Sequence, residues 1–274
     1  MKTSYHVHSR WSDGKTGIAE LVAAAAEAGL EEVGISDHYV LAPAGQVVKW
    51  SMPLDRLGEY LADIDAAAQA WKAEHPSPAG SPDLIVRRGV EADFFPGQEK
   101  AVREALAGHA LDYVIGSVHY VDGFPVDESR PNWDRLSPAE REDVHRGYWV
   151  RIAGLARSGL YDIVGHIDLP KKFGYRAESD LSVEIGAALD AVAAAGMVVE
   201  VNTSGWHTMA REAYPTSDIL RECRKRGIPS QINADAHMPA TLTRDFDQAA
   251  ALIREAGYTE VARFAGRRRT LVPL

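Results

Sequence analysis

Histidines and acidic residues recur in this chain at spacings that suit a polynuclear metal site. His6 and His8 flank Val7 near the start, with Asp13-Gly14 close behind. His38, Glu91, His119, His166, Asp235 and His237 then stand where apolar segments end. Imidazole and carboxylate together suit Zn, Mn or Fe(II), and shared carboxylates permit ions about 3.5–4 Å apart. Water held by such ions loses a proton near neutral pH, giving a hydroxide nucleophile without serine or cysteine. The chemistry this points to is metal-dependent hydrolysis.

Residues so far apart act together only if the fold gathers them. Short β-rich segments alternate with Ala-rich segments of helical period. The pattern predicts a helix over 18–28, ended by Gly29, and a strand over 32–36. A strand over 84–90, a helix over 98–107 and a strand over 113–116 follow. Next come a helix over 143–158, a strand over 162–164, a helix over 183–195 and a strand over 197–201. The last round is a helix over 217–226, a strand over 228–232 and a helix over 246–256.

Such alternation implies parallel strands with helices outside, and about seven rounds suit a barrel better than an open sheet. The strands' carboxyl ends then converge on one rim. His6 and His8, two apart on the first strand, point to one face. His38 follows the second strand, Glu91 ends the third, His119 the fourth and His166 the fifth, while Asp235 and His237 follow the last. Taken singly, a histidine at a strand end is more often a structural residue than a ligand. Five strand ends carrying His or Glu, in a chain of 10 histidines, make the joint pattern informative. His75, His109 and His145 lack that placement and read as structural.

Composition narrows the class. The 274 residues, 46% hydrophobic, can bury a full core and show no internal boundary, so 1–274 reads as one domain. A net charge of −9 argues against a nonspecific nucleic-acid binder. Arg267-Arg268-Arg269 reads as a solvated end. Cys223 stands alone, which excludes a disulfide framework and a thiolate cage. Every long apolar stretch is interrupted by Gly or a charge and no leader-like segment opens the chain, so a cytoplasmic protein without membrane association is expected. Gly14-Lys15-Thr16 lacks the context of a nucleotide-binding loop. Connections over 41–53 and 122–138 are long enough to cover a site, and 75–82 reads as a surface turn.

The motifs His6-Val7-His8, Ser36-Asp37-His38, Gly89-Val90-Glu91, Gly116-Ser117-Val118-His119, Gly165-His166-Ile167-Asp168 and Ala234-Asp235-Ala236-His237 resemble those of the polymerase and histidinol phosphatase (PHP) superfamily. The resemblance spans essentially the whole chain. Gly165 through Gly174, together with Glu200-Val201-Asn202-Thr203-Ser204-Gly205, is similar to the histidinol-phosphate phosphatase branch.

This likeness implies a distorted, TIM-like (βα)7 barrel and three divalent transition metal ions, Zn, Mn or Fe in some combination. It assigns His6, His8, Glu91 and Asp235 to one ion and Asp13, His38 and His237 to a second. Glu91, His119 and His166 hold the third, with Glu91 bridging. Glu91, Asp235 and Asp13 would then be the catalytic carboxylates. Many relatives carry a histidine at the position of Asp13, and Ser12-Asp13-Gly14 also reads as a plain turn. The implied reaction is in-line attack of a bridging hydroxide on L-histidinol phosphate, in histidine biosynthesis.

Phosphate recognition needs cations or hydroxyls beside the metals. Arg176 is the first candidate, as a bidentate donor, and Lys171 and Lys172 are weaker ones. Relatives of this branch often have Leu-Arg after Ser204-Gly205, where this chain has Trp206-His207. His207 or Arg211 would then supply the second contact, with Ser204 beside them. Trp11, Asp168 and Trp206 are candidates, by sequence position alone, for holding the imidazole and ammonium of the substrate. The partner expected is a small phosphate monoester, with no nucleic acid, and nothing fixes an oligomeric state. The other readings are a PHP phosphoesterase acting on nucleotides, oligonucleotides or phosphotyrosine, and a catalytically silent metal-binding PHP domain.

Overall fold

Seven parallel strands form the frame in the computed structural model, which describes residues 2–44, 46, 48–76 and 83–274. They are β1 (Thr3–Ser4), β2 (Glu32–Ile35), β3 (Ile85–Asp93), β4 (Tyr113–Ser117), β7 (Ile163–Val164), β8 (Val198–Asn202) and β9 (Ser230–Asn233), neighbours in that order. The barrel is nearly closed just beyond β1 and β9, where Val7 bridges Ala236 in parallel. There the His8 amide donates to the Ala236 carbonyl at 2.8 Å and the Ala236 amide to that of His6 at 3.0 Å. This is the α/β barrel that the alternation predicts.

Helices α1 (Ile18–Glu27), α2 (Leu57–Glu74), α3 (Glu99–Leu106), α5 (Pro138–Ser158), α6 (Ser182–Ala194), α7 (Ser217–Lys225) and α8 (Phe246–Glu255) accompany the barrel, and a short α4 (Arg130–Asp134) lies before α5. Helix α5 starts on a complete capping box: Ser137 and Glu140 satisfy each other's backbone amides. The sequence reads 75–82 as a turn between a helix and the next strand without giving that helix bounds, and α2 is the helix that stands there. Its buried residues Leu57, Tyr60, Leu61, Ile64 and Ala67 follow helical spacing. The connection at 122–138 is also more ordered than a bare loop. It contains α4 and follows directly on β5 (Tyr120–Val121), which pairs with β6 (Phe124–Pro125). Of the predicted 75–82 turn, 77–82 lie outside the described residues.

The barrel floor is filled by side chains. Tyr5, Tyr113, Ile115, Ile163 and Val198 pack there with Ala262 and Phe264. The last two belong to β10 (Glu260–Ala265), which pairs antiparallel with β11 (Arg268–Pro273). The Tyr113 ring occupies the space over Gly34 and Gly89, where a Cβ would fall 2.2 Å from it. Its hydroxyl donates to the Tyr5 carbonyl at 2.6 Å. The arginine run is therefore not a free solvated end. Arg267 turns the hairpin, pairs with Asp162 and donates to the Leu160 carbonyl at 2.7 Å, and Arg269 donates to the Gly196 carbonyl at 2.6 Å. The packed floor leaves the carboxyl ends of the strands, at the opposite rim, as the open end of the barrel. No described helix is long and apolar enough to cross a membrane.

Phe264, 3% exposed, plugs the floor far from the rim. Phe264→Ala is expected to destabilise the fold by about 3–5 kcal/mol, as large-to-small changes in cores do, measured by urea unfolding. Metal content at low denaturant should stay that of the unaltered protein.

Candidate metal centre

The predicted ligands all arrive on the rim. His38 lies three residues beyond β2, His119 and His166 two beyond β4 and β7, and Asp235 and His237 two and four beyond β9. Glu91 differs slightly from expectation, because β3 continues two residues past it to Asp93. His6 and His8 lie beyond the two-residue β1, in the extended segment that closes the barrel. His166 and Asp235 take left-handed backbone conformations, with φ of 23° and 54°. Such strain in non-glycine residues persists where the surrounding structure over-determines it, and it clusters at functional sites.

Asp13 reaches the cluster through a folded-back loop. Gly14 donates to the Ser9 carbonyl at 2.9 Å and Lys15 to that of His237 at 2.8 Å. Gly14 lies so close to the His8 carbonyl that a Cβ would sit 2.2 Å from its oxygen. The buried Asp37 carboxylate anchors this loop, accepting from the Ser9 amide at 2.7 Å, the Ser9 hydroxyl at 2.7 Å and the Ser12 amide at 3.1 Å. Asp13 is thus carried into contact with His237, its Oδ2 3.2 Å from Nε2. It is more than a surface turn.

Glu91, fully buried, is the hub. Its Oε2 lies 2.7 Å from His38 Nδ1, 3.2 Å from His6 Nε2 and 3.6 Å from His8 Nε2. Its Oε1 lies 2.9 Å from His166 Nε2 and 3.7 Å from His119 Nε2, and accepts from the Ser117 hydroxyl at 2.5 Å. Asp235 Oδ1 lies 3.2 Å from His8 Nε2 and 3.7 Å from both His6 Nε2 and His237 Nδ1. Proximity is not hydrogen bonding here: Glu91 Oε2, His6 Nε2, both His8 nitrogens and His38 Nδ1 are buried without a hydrogen-bond partner. Buried polar atoms are rarely left so. Convergent nitrogen and oxygen donors facing one another without hydrogen bonds are what cations would satisfy.

Among the described residues, three overlapping groups keep their donor atoms within 4.8 Å of one another: His8, Asp13, His38 and His237; His6, His8 and Asp235; His6, Glu91 and His166. This division shares His8 and His6 between groups, where the family likeness shares Glu91. His119 falls outside all three, although its ring centroid is 4.9 Å from that of His166. The residues present fit multinuclear binding of divalent ions.

Charge follows the geometry. His8 is buried and stacked between His38, at 4.3 Å, and His237, at 4.4 Å. Burial and these two neighbours push it down to about 3, so it presents neutral lone pairs. Burial opposes protonation of His119 too, but the Asp93 carboxylate outweighs it and lifts His119 to about 10. Burial likewise opposes a charged His237, and Asp13 with Asp235 overcomes it, raising the group to about 9. Glu91 and Asp235 are held well below the usual carboxylate range, because the surrounding imidazoles outweigh the burial that would raise them.

Two carboxylates that the sequence reading left unassigned orient the ligands. Glu200 on β8 accepts from His6 Nδ1 at 3.0 Å and from the His166 amide, and is braced by Asn202 at 2.9 Å and Asn233 at 2.8 Å. Asp93 binds His119 Nδ1 at 2.8 Å. Such partners turn the other ring nitrogen toward the metal. Alternation was the available signal for Asp93, which shares a strand face with Glu91.

The expected substrate residues fare differently. Arg176 is half-exposed and paired with Glu212 at 3.2 Å. Arg211 makes no side-chain hydrogen bond or ion pair among the described residues, and His207 Nε2 lies 2.6 Å from Asp245. Ser204 is nearer the ligands, its hydroxyl donating at 2.6 Å to Asn202, whose amide lies 3.4 Å from Asp235. Trp11 donates to Asp63 at 2.7 Å, Asp168 pairs with Lys171 at 2.8 Å, and Trp206 packs on a satellite core under α7 and α8. Lys171 is buried and held by Asp168 and the Ala213 carbonyl. Lys172 is the cation tied to the centre: its Nζ is 3.2 Å from Asp127, a half-buried carboxylate that senses the charge of both His119 and His166.

Comparison with known proteins agrees with this geometry. The family model for the PHP domain matches residues 4–204. A probable histidinol-phosphatase of Deinococcus radiodurans is 39% identical over 256 residues, 92% of each chain. The crystal structure of histidinol phosphate phosphatase from Lactococcus lactis, complexed with zinc, L-histidinol and phosphate, superposes with a TM-score of 0.80 at 22% identity, covering 98% of both chains. A putative histidinol phosphatase from Listeria monocytogenes gives a TM-score of 0.77 at 22% identity, over 90% of this chain and 99% of that one. The chain belongs to the PHP domain family, and within it to the histidinol-phosphatase branch.

Two outcomes follow from the centre. Glu200→Ala should weaken metal binding about 10–100-fold, as loss of a ligand-orienting partner does, read by chelator competition with circular dichroism unchanged. His119 and His237 carry protons at pH 7 in the metal-free protein, so ion binding must expel them and affinity should rise with pH until about 9–10. Calorimetry in buffers of different ionisation enthalpy should show proton release at pH 7; uptake, or no buffer dependence, would contradict the ligand assignment.

Proposed function

We propose that the protein is an L-histidinol-phosphate phosphatase acting at a trinuclear centre in histidine biosynthesis. The observation that carries the metal-dependent reading is the Glu91 carboxylate, whose two oxygens face different imidazoles while Oε2 lacks any hydrogen bond. The substrate assignment draws support from the Deinococcus radiodurans relative, similar across 92% of both chains. His6, His8, Glu91 and Asp235 would hold one ion, Asp13, His38 and His237 a second, and Glu91, His119 and His166 a third. When bound, such ions supply Lewis acidity toward phosphoryl oxygens and a hydroxide nucleophile near neutral pH.

The chain's own residues prepare that chemistry. Glu200 and Asp93 fix the rings of His6 and His119 so that each presents Nε2. Asp37 holds the Asp13 loop against His237. Lys172, rather than Arg176, is the cation we assign to the phosphate, since Asp127 tethers it beside His119 and His166 while Glu212 engages Arg176. Ser204, bonded to Asn202, and His207, paired with Asp245, would be further polar contacts.

A phosphate-release panel of histidinol phosphate, nucleoside monophosphates and p-nitrophenyl phosphate should rank histidinol phosphate first by kcat/KM. Chelation should abolish release and divalent ions restore it, whereas Cys223→Ala, at a buried thiol far from the rim ligands in the fold, should leave it nearly unchanged. Lys172→Ala should lower kcat/KM about 10–100-fold, the worth of one charge-assisted hydrogen bond, with Arg176→Ala and Arg211→Ala well short of that. Preference for a nucleotide would overturn the substrate, and activity surviving chelation would overturn the chemistry.

A further inference from the structure

The connection after His38 brings an aromatic ring to the centre. Its return is pinned: the Met52 amide donates to the His38 carbonyl at 3.0 Å, and the Ser51 hydroxyl links that carbonyl, at 3.2 Å, to the Val40 amide, at 2.9 Å. Trp50, half-buried, directly precedes this staple. Its ring centroid lies 4.5 Å from that of His38 and 5.2 Å from that of His119, with ring planes crossing at 67° and 72°. It is parallel within 5° to Tyr120 at 6.4 Å, and Tyr120 stacks on Phe95 at 5.6 Å. The three rings form an aromatic wall rising beside candidate ligands of two different ions.

From these contacts we infer that Trp50, backed by Tyr120 and Phe95, is a specificity-determining residue that stacks against a planar heteroaromatic leaving group of the monoester. The inference rests on the phosphatase reading above and adds the part of the substrate that reading leaves without a contact. A phosphate held at His38 and His119 places its ester group within reach of Trp50, because the indole touches both imidazoles. The rim at Asp127 and Lys172 is charged, whereas Trp50, Tyr120 and Phe95 present aromatic rings. Stacked and edge-on aromatic pairs are favourable beyond the area they bury, and an indole face also accommodates a protonated ring. Trp50 is neither tied to a structural carboxylate, as Trp11 is, nor packed under helices, as Trp206 is.

The test compares kcat/KM for L-histidinol phosphate and benzyl phosphate with that for glycerol phosphate, in the metal-loaded full chain. For Trp50→Ala the aromatic-to-aliphatic ratio should fall about tenfold, the scale of one aromatic contact, with the change carried mainly in KM. Trp50→Leu, which keeps bulk without a π face, should fall likewise, and Trp50→Phe should recover most of the ratio. Ions per chain should match the unaltered protein in all three. An unchanged ratio in the Ala and Leu variants overturns the inference, as does an equal loss on both substrate classes that tracks lost metal. The unaltered enzyme judges the underlying reading separately: turnover of benzyl phosphate without histidinol phosphate would reject the substrate while the ratio still decides the role of Trp50. No turnover of any monoester would reject both.

Discussion

A carboxylate buried among imidazoles, with one oxygen left without a hydrogen bond, is the constraint around which the rest of this structure is arranged. Removing an anion from water is costly unless it is paired and coordinated. Glu91 meets that cost by facing five histidines from four parts of the chain. His6, His8 and His38 approach the Glu91 Oε2 atom without hydrogen bonds, which leaves these buried atoms unsatisfied by the protein alone. Cations resolve the conflict, which makes metal binding and stability of the rim one problem.

The barrel exists to make that convergence possible. Parallel strands deliver their carboxyl ends to one side, and the C-terminal hairpin plugs the other with Phe264. Neighbouring carboxylates then set ring orientation: Glu200 for His6, Asp93 for His119 and Asp37, at one remove, for Asp13. Each of these acts through another residue, and each lies on or just beyond a barrel strand.

Much of this was legible in the sequence because ligand type and strand ends coincide there. His6, His8, His38, His119, His166, Asp235 and His237 could be placed by alternation alone, and the structure puts them all on one rim. Asp13 was legible only through the family likeness, since a Ser-Asp-Gly turn has no period and its inward fold depends on Asp37 and the close approach at Gly14. Helix α2 was legible as the helix before the 75–82 turn but not in its bounds, because its long Ala-rich stretch blurs the contrast between faces. Arg176 illustrates a different limit. Residue type suggests a phosphate contact, whereas the ion pair that engages it, with Glu212, is a tertiary fact. Trp50 and Asp127 sit in connections without periodicity, so their approach to the centre emerges only from the folded loops.

Counting metal ions in a Glu91→Gln variant tests the central claim most directly. The amide keeps the volume of Glu91 but removes the anion that faces both sides of the cluster, so elemental analysis of protein loaded with zinc should fall from the three ions per chain that we propose to one at most. Three ions retained at unchanged affinity would contradict the account, because the hub would then be dispensable.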